Sequence, residues 1–266
     1  MKRPEERHNA LRQTDRRHVR SAARTDIGRH RKGNEDAFFL DDALGLYIVA
    51  DGMGGHAGGE IASAEAVDTV HGMVRRGLPA LGNVDGELSE VQARAACRII
   101  EGAIQAATYL IYAMAQIERD KLGMGTTISA ALLLGQSLVT GQVGDSRIYR
   151  IRDGQALQLT EDHTLIAWQV KQGLLTADEA ARSTSRNVIT RAVGNRDYVE
   201  VDTSVFGVQE GDRYLLCSDG LHGYVEPDEI AEIAGLGAQA AVDRFIDVAN
   251  ERGGRDNITA VLVEIL

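Results

Sequence analysis

The chain has 266 residues, 44% of them hydrophobic, and a formal charge of −10. That length suits a single domain with a large core. A folded acidic body excludes nucleic acid as the substrate, and no apolar run approaches the ~18 residues that a membrane span needs.

Residues 1–20 run against the overall charge, with seven Lys/Arg against three acids. Residues 1–22 show no apolar period and are expected to form a flexible basic tail ahead of one domain over 23–266. Ala37–Leu40 and Leu44–Ala50 read as strands around an Asp41-Asp42 turn. Ile61, Ala64, Val67, Val70, Met73 and Val74 keep helical spacing, which predicts a helix over 59–76. A loop through Pro79 and Gly82 to Gly86 leads to a second helix over about 89–118, its apolar stripe running Val91, Ala95, Ile99, Ala103, Ala107, Leu110, Met114, Ile117. A meander follows: Thr126–Leu134, Ser137–Val143, Arg147–Ile151 and Ala156–Thr160, with Asp153-Gly154 as a two-residue hairpin turn. Residues 162–192 are polar and helix-prone, and read as a surface insertion placed as a flap near the site. Strands resume at Val199–Phe206 and Tyr214–Cys217. Pro227 opens a short helix, Val242, Phe245, Ile246 and Ala249 mark another, and Ile258–Ile265 closes the sequence. This order is α+β, and its strands are enough for two layered sheets covered by helices. Cys97 and Cys217 lie within apolar patterns, as buried free thiols of a reducing compartment do; with a polar N-terminus and no signal peptide, the expected location is cytoplasmic.

Four aspartates share one context. Asp36 precedes a strand, Asp51 ends one, Asp219 follows one and Asp256 precedes the last. Strand ends on one edge of a sandwich can converge, and several carboxylates together need cations between them. Oxygen donors without a His/Cys cluster point to Mg²⁺ or Mn²⁺ rather than zinc. The turn Gly52-Met53-Gly54-Gly55-His56-Ala57 also satisfies a dinucleotide fingerprint. Asp51 beside a pyrophosphate, a second helix in place of the second strand, and no well-placed ribose acid all argue against that reading.

Six blocks in order resemble one known family. They are Arg31-Lys32-Gly33-Asn34-Glu35-Asp36-Ala37, Asp51-Gly52-Met53-Gly54-Gly55-His56, Gly123-Met124-Gly125-Thr126-Thr127, Gly144-Asp145-Ser146-Arg147, Ser218-Asp219-Gly220 and Gly254-Arg255-Asp256-Asn257. The family is that of the metal-dependent protein phosphatases, the type 2C serine/threonine phosphatases in their bacterial form. The resemblance covers roughly residues 23–266. It implies a four-layer αββα sandwich, two mostly antiparallel sheets flanked by helices, with two Mn²⁺ or Mg²⁺ ions at one end. It further implies that Asp51 bridges both ions, the Gly52 carbonyl binds one, and Asp219 and Asp256 hold the other. Asp36, with Glu35 as a second candidate, would act through coordinated water, Arg31 would grip the phosphate, and Asp120 matches the ligand of a weaker third ion. Gly223 departs from the family, many of whose members carry an aspartate there.

The implied reaction is in-line hydrolysis of phosphoserine and phosphothreonine in proteins by water activated between the ions, opposing Ser/Thr kinases. His56 is the candidate acid for the leaving alkoxide, since an imidazole titrates near neutrality; a helix-start histidine with a structural bond is its other reading. Gly144-Asp145-Ser146-Arg147 reads mainly as a tight turn whose aspartate satisfies nearby amides. A monomer is expected. The rival functions are a catalytically weak phosphatase-like regulatory domain and a hydrolase of small phosphate esters.

Overall fold

The computed structural model describes residues 19–54, 58–118, 121–176, 179–180, 183, 185 and 188–266. Its elements in order are β1 (Val19–Asp26), β2 (Asp36–Asp41), β3 (Leu46–Met53), α1 (Gly58–Gly77), α2 (Glu90–Ile117), β4 (Gly125–Thr126), β5 (Ile128–Leu134), β6 (Ser137–Val143), β7 (Arg147–Arg152) and β8 (Gln155–Gln158). Then come α3 (Leu165–Lys171), β9 (Asp202–Gly207), β10 (Arg213–Cys217), α4 (Asp219–His222), α5 (Pro227–Ala234), α6 (Ala238–Glu251) and β11 (Ile258–Ile265). One sheet has the order β1-β11-β10-β7-β8; the other runs β2-β3-β5-β6-β9, with the short β4 paired to β3. The pairings are antiparallel throughout.

The period of two in a strand sends alternate side chains to opposite faces, and here both faces are covered. In β3, Leu46, Ile48 and Ala50 pack with α1 and α2, while Tyr47 and Val49 point between the sheets. In β11, Ile258, Ala260 and Leu262 pack with α5 and α6, and Val261, Val263 and Ile265 meet the other sheet. The layers are therefore helices, sheet, sheet, helices: the expected α+β four-layer sandwich. Local signals set several boundaries. Ser89 caps α2 in a reciprocal capping box with Gln92. Asp153 and Gly154 both take positive φ, 52° and 74°, as the tight turn between β7 and β8 requires.

Several expectations need correction. The tail boundary at 22 falls inside β1, which begins at Val19 and pairs with β11. As an edge strand of small and polar residues with only Ala22 fully buried, it carries little apolar signal. The α2 stripe is also rotated: Ala96, Ile100, Ala103, Ile104, Ala107, Ile111 and Ala115 are buried, whereas Val91 and Ile117 are 70% and 82% exposed. The run of four-residue steps from Val91 to Ala107 drifts about 40° per step around a 3.6-residue helix, so the row starts well away from the buried face. Cys97 is only partly buried, Cys217 fully; both are free thiols. The strand placed at Val199–Phe206 is Asp202–Gly207, and the one-turn α4 went unread. The 162–192 segment read as a polar surface insertion nevertheless buries His163, Thr164 and Ile166.

Candidate active site

The carboxylates meet because hairpin register and strand ends bring them to one end of the sandwich. Asp36 and Asp51 are direct cross-strand partners in the β2–β3 pair. Asp219 opens α4 after β10, and Asp256 lies two residues before β11. Asp36 joins the two sheets: its Oδ2 accepts from Ser218 Oγ at 2.8 Å and from Thr259 Oγ1 at 2.6 Å. Asn257 locks the loop opposite. Its Oδ1 accepts the Glu35 amide at 2.8 Å, and its Nδ2 donates to the Ile27 and Gly33 carbonyls at 3.0 Å each. The Asp51 backbone is held from the other side, its amide donating to Thr127 Oγ1 at 2.9 Å and its carbonyl accepting from Thr127 N at 2.8 Å.

Gly52 is a steric requirement. A Cβ there would overlap the backbone of Gly59 and come within 2.5 Å of the Glu35 carbonyl, so only glycine lets α1 start directly against the strand end. At Gly144, φ is 98° and a Cβ would run into Thr127, so the turn before Asp145 likewise admits no side chain. Arg31, on the exposed loop before β2, donates from Nη2 to Asp256 Oδ2 at 2.7 Å. His56 and Asp120 lie outside the described residues.

The electrostatics are those of crowded like charges. Burial, then Asp36 and Asp219, hold the Asp51 carboxyl well above the usual carboxylate range. Burial likewise pushes Asp36 up to about 7 despite its two hydroxyl donors. Asp219 is raised by burial and then by Asp256. The sequence reading had placed Asp145 in the scaffold. It is only 6% exposed and pushed up to about 7, by burial first and then by Asp219, so it belongs to the same acidic end. The signal was available, since Asp145 also sits at a strand start, two residues before β7, but the turn chemistry of Gly144-Asp145 masked it.

The Oδ1 atoms of Asp36 and Asp219 are sealed from solvent and have no hydrogen-bond partner. A buried carboxylate oxygen left unpaired is costly, and hard divalent cations compensate it. Among the described residues, no three carboxylate, imidazole or thiolate groups draw close enough to enclose a cation by themselves. The donor set fits Mg²⁺ or Mn²⁺ in chemistry. Beside the cluster opens a groove of about 1000 Å³, lined by Asp145, Asp219 and Asp256 together with Ile166, Ala167 and Val170 from the α3 segment.

Known proteins give the same picture. The protein phosphatase 2C family model matches residues 29–266. The serine/threonine phosphatase Stp of Listeria monocytogenes is 39% identical over 246 residues, covering 91% of this chain and 94% of that protein. Stp1 from Staphylococcus aureus superposes with a TM-score of 0.82 at 31% identity, over 94% of this chain and 96% of that one. The catalytic domain of the phosphatase PstP, solved with two manganese ions, gives 0.79 at 34% identity, over 93% and 98%. Taken with the two-sheet architecture and the acidic end that its strand termini build, these matches establish that the chain belongs to the protein phosphatase 2C family of serine/threonine phosphatases.

Proposed function

We propose that the acidic end of the sandwich binds two Mn²⁺ or Mg²⁺ ions and hydrolyses phosphoserine and phosphothreonine in proteins. The observation that carries this is the pair of sealed, unpartnered oxygens on Asp36 and Asp219, beside the buried Asp51. Asp51, Asp219, Asp256 and the Gly52 carbonyl are the proposed ligands, with Asp36 acting through water. When bound, such ions make a hydroxide-like nucleophile available near neutral pH and neutralise phosphate oxygens. Arg31 orients the phosphate with its planar fork of donors, exchanging its Asp256 contact for the substrate's oxygens. Ser218 and Thr259 hold Asp36 through Oδ2, which leaves its buried Oδ1 without a hydrogen bond. His56 is the proposed proton donor to the leaving alkoxide, and Asp120 the proposed holder of a weaker third ion.

The open groove beside the cluster favours a polypeptide substrate over a small ester, with the α3 segment acting as a flap on it. The partners are phosphoproteins, including targets of Ser/Thr kinases and the kinases themselves, met in the cytoplasm by a monomeric enzyme. Among the described residues no helix is long and apolar enough to cross a membrane. The test is release of phosphate from a phosphothreonine peptide and from p-nitrophenyl phosphate, with Mn²⁺, with Mg²⁺ and with EDTA. Hydrolysis that persists undiminished in EDTA would overturn the metal-centred reading, and hydrolysis of neither compound with metal would leave only a binding domain.

A further inference from the structure

The segment between Thr164 and Ile189 leaves and rejoins the sandwich at one place. Thr164 and Ile189 form an antiparallel bridge, Leu165 N donates to the Val188 carbonyl at 2.8 Å, and Thr190 N donates to the His163 carbonyl at 2.8 Å. Both ends of the segment thus converge on His163, a residue only 6% exposed. Its backbone amide donates to the Gly144 carbonyl at 2.9 Å, and its ring Nδ1 accepts the Gly144 amide at 3.2 Å. With Nδ1 accepting, the neutral ring carries its proton on Nε2, which donates to Asp202 Oδ2 at 3.0 Å. Arg191, just past the far end of the segment, donates to Asp202 Oδ1 at 2.7 Å and pairs with Glu200 at 2.9 Å.

We propose that His163 is a positioning residue that ties the 164–189 segment to the turn beside Asp145, and so sets the width of the groove through which a phosphoprotein reaches the acidic cluster. The proposal rests on the phosphatase reading above. Ile166, Ala167 and Val170 on α3, which begins two residues after His163, line the groove. Asp145, Asp219 and Asp256 line it as well, and Asp145 adjoins the Gly144 amide that His163 holds. A polypeptide must lie along this lining, whereas a small aryl phosphate needs only the cluster. Loss of the tie therefore weakens peptide binding and spares the reacting end. Burial holds the ring neutral, the only form whose Nδ1 can accept from Gly144.

Trp168 on α3 is the only tryptophan in the chain and is about half exposed, so its fluorescence reports the segment directly. In His163→Ala we expect the acrylamide quenching constant of Trp168 to rise about twofold. The phosphothreonine-peptide KM should rise about tenfold, the effect of one lost buried hydrogen bond on an equilibrium, while kcat/KM for p-nitrophenyl phosphate stays within about twofold. His163→Asn, whose amide oxygen can still accept from Gly144, should recover part of the peptide KM. Asp202→Asn, at a half-exposed strand start, should show the same pattern more weakly and serves if the alanine variant fails to fold. Equal losses on both substrates, or no change in either quenching or peptide KM, would overturn the proposal. A wild-type protein that hydrolyses neither substrate sinks the phosphatase reading instead, and Trp168 quenching still tests the tie.

Discussion

The space between the two sheets and the acidic end of the same sandwich are both largely closed to water, yet they are built on opposite terms. Between the sheets, Tyr47, Val49, Leu138, Tyr214, Leu216 and Val261 are fully buried or nearly so and present apolar surface to one another. Each such side chain contributes about 1.5–3 kcal/mol by leaving water. A few residues along the same strands, Asp36, Asp51, Asp145 and Asp219 crowd carboxyls whose ionisation the surroundings oppose. The interior supplies the rigidity that keeps the acidic end assembled against its own repulsion. Stability and chemistry are thereby assigned to separate stretches of shared strands, and substitutions should divide accordingly.

The largest expected effect is at the acidic end. Asp51→Ala or Asp219→Ala should lower phosphopeptide kcat by at least about a thousandfold, roughly 4 kcal/mol of barrier, while circular dichroism stays native; wild-type-like turnover would remove these ligands. In the absence of metal, the same variants should melt at or above the wild-type temperature, because a repelling charge is gone. Ile48→Ala on the helix-facing side of β3 should do the reverse, costing about 3 kcal/mol in denaturant unfolding with kcat per folded molecule unchanged.

Third comes pH. The carboxyls of Asp36 and Asp145 sit at about 7 in the fold, against about 4 when unfolded. A raised pKa means that the fold binds more protons than the unfolded chain across that window. Metal-free stability is therefore greatest below about pH 4 as regards these groups, and is lost as pH rises through 7. Mn²⁺ should restore several degrees of Tm at pH 8 and little at pH 5, readable by calorimetry; equal shifts at both pH values would contradict the electrostatic account. Arg31→Ala should raise KM several-fold with kcat less affected, since the group binds phosphate in ground and transition states alike. The smallest effect belongs to deletion of residues 1–18, which stops just short of β1 and should leave kcat/KM within error of the full chain.

The layers were legible where a strand is buried on both faces and reads as an unbroken apolar run, as in β3 and β11, or where a helix buries one clean stripe, as in α1. The patterns were weakest where one face of a strand meets solvent, as in β1, or where alanines make a helix apolar all round, as in α2. The acid positions at strand ends could be read locally, and the motif blocks then grouped them. Their meeting is a long-range fact. That Asp36 accepts from Ser218 and Thr259, more than 180 residues away, depends on how two sheets stack, and no window of sequence holds it. Asp145 was assigned to the scaffold for a related reason, since a glycine-aspartate turn looks the same whether or not its carboxyl lies near other carboxyls. His163 lay in a polar stretch read as a surface insertion, and its partners Gly144 and Asp202 lie some sixty residues apart.

The position of β11 between β1 and β10 has a consequence for the order of events in synthesis. Asp256, Asn257 and Thr259 are made after nearly everything they hold in place, and the Glu35 amide and Asp36 oxygen wait for them. A ribosome-bound chain that has released only the first 250 residues lacks the seam joining its sheets as well as a proposed ligand. Dephosphorylation by this enzyme therefore waits for β11 to be made, and a nascent chain stalled before it is inert toward the phosphoproteins around it.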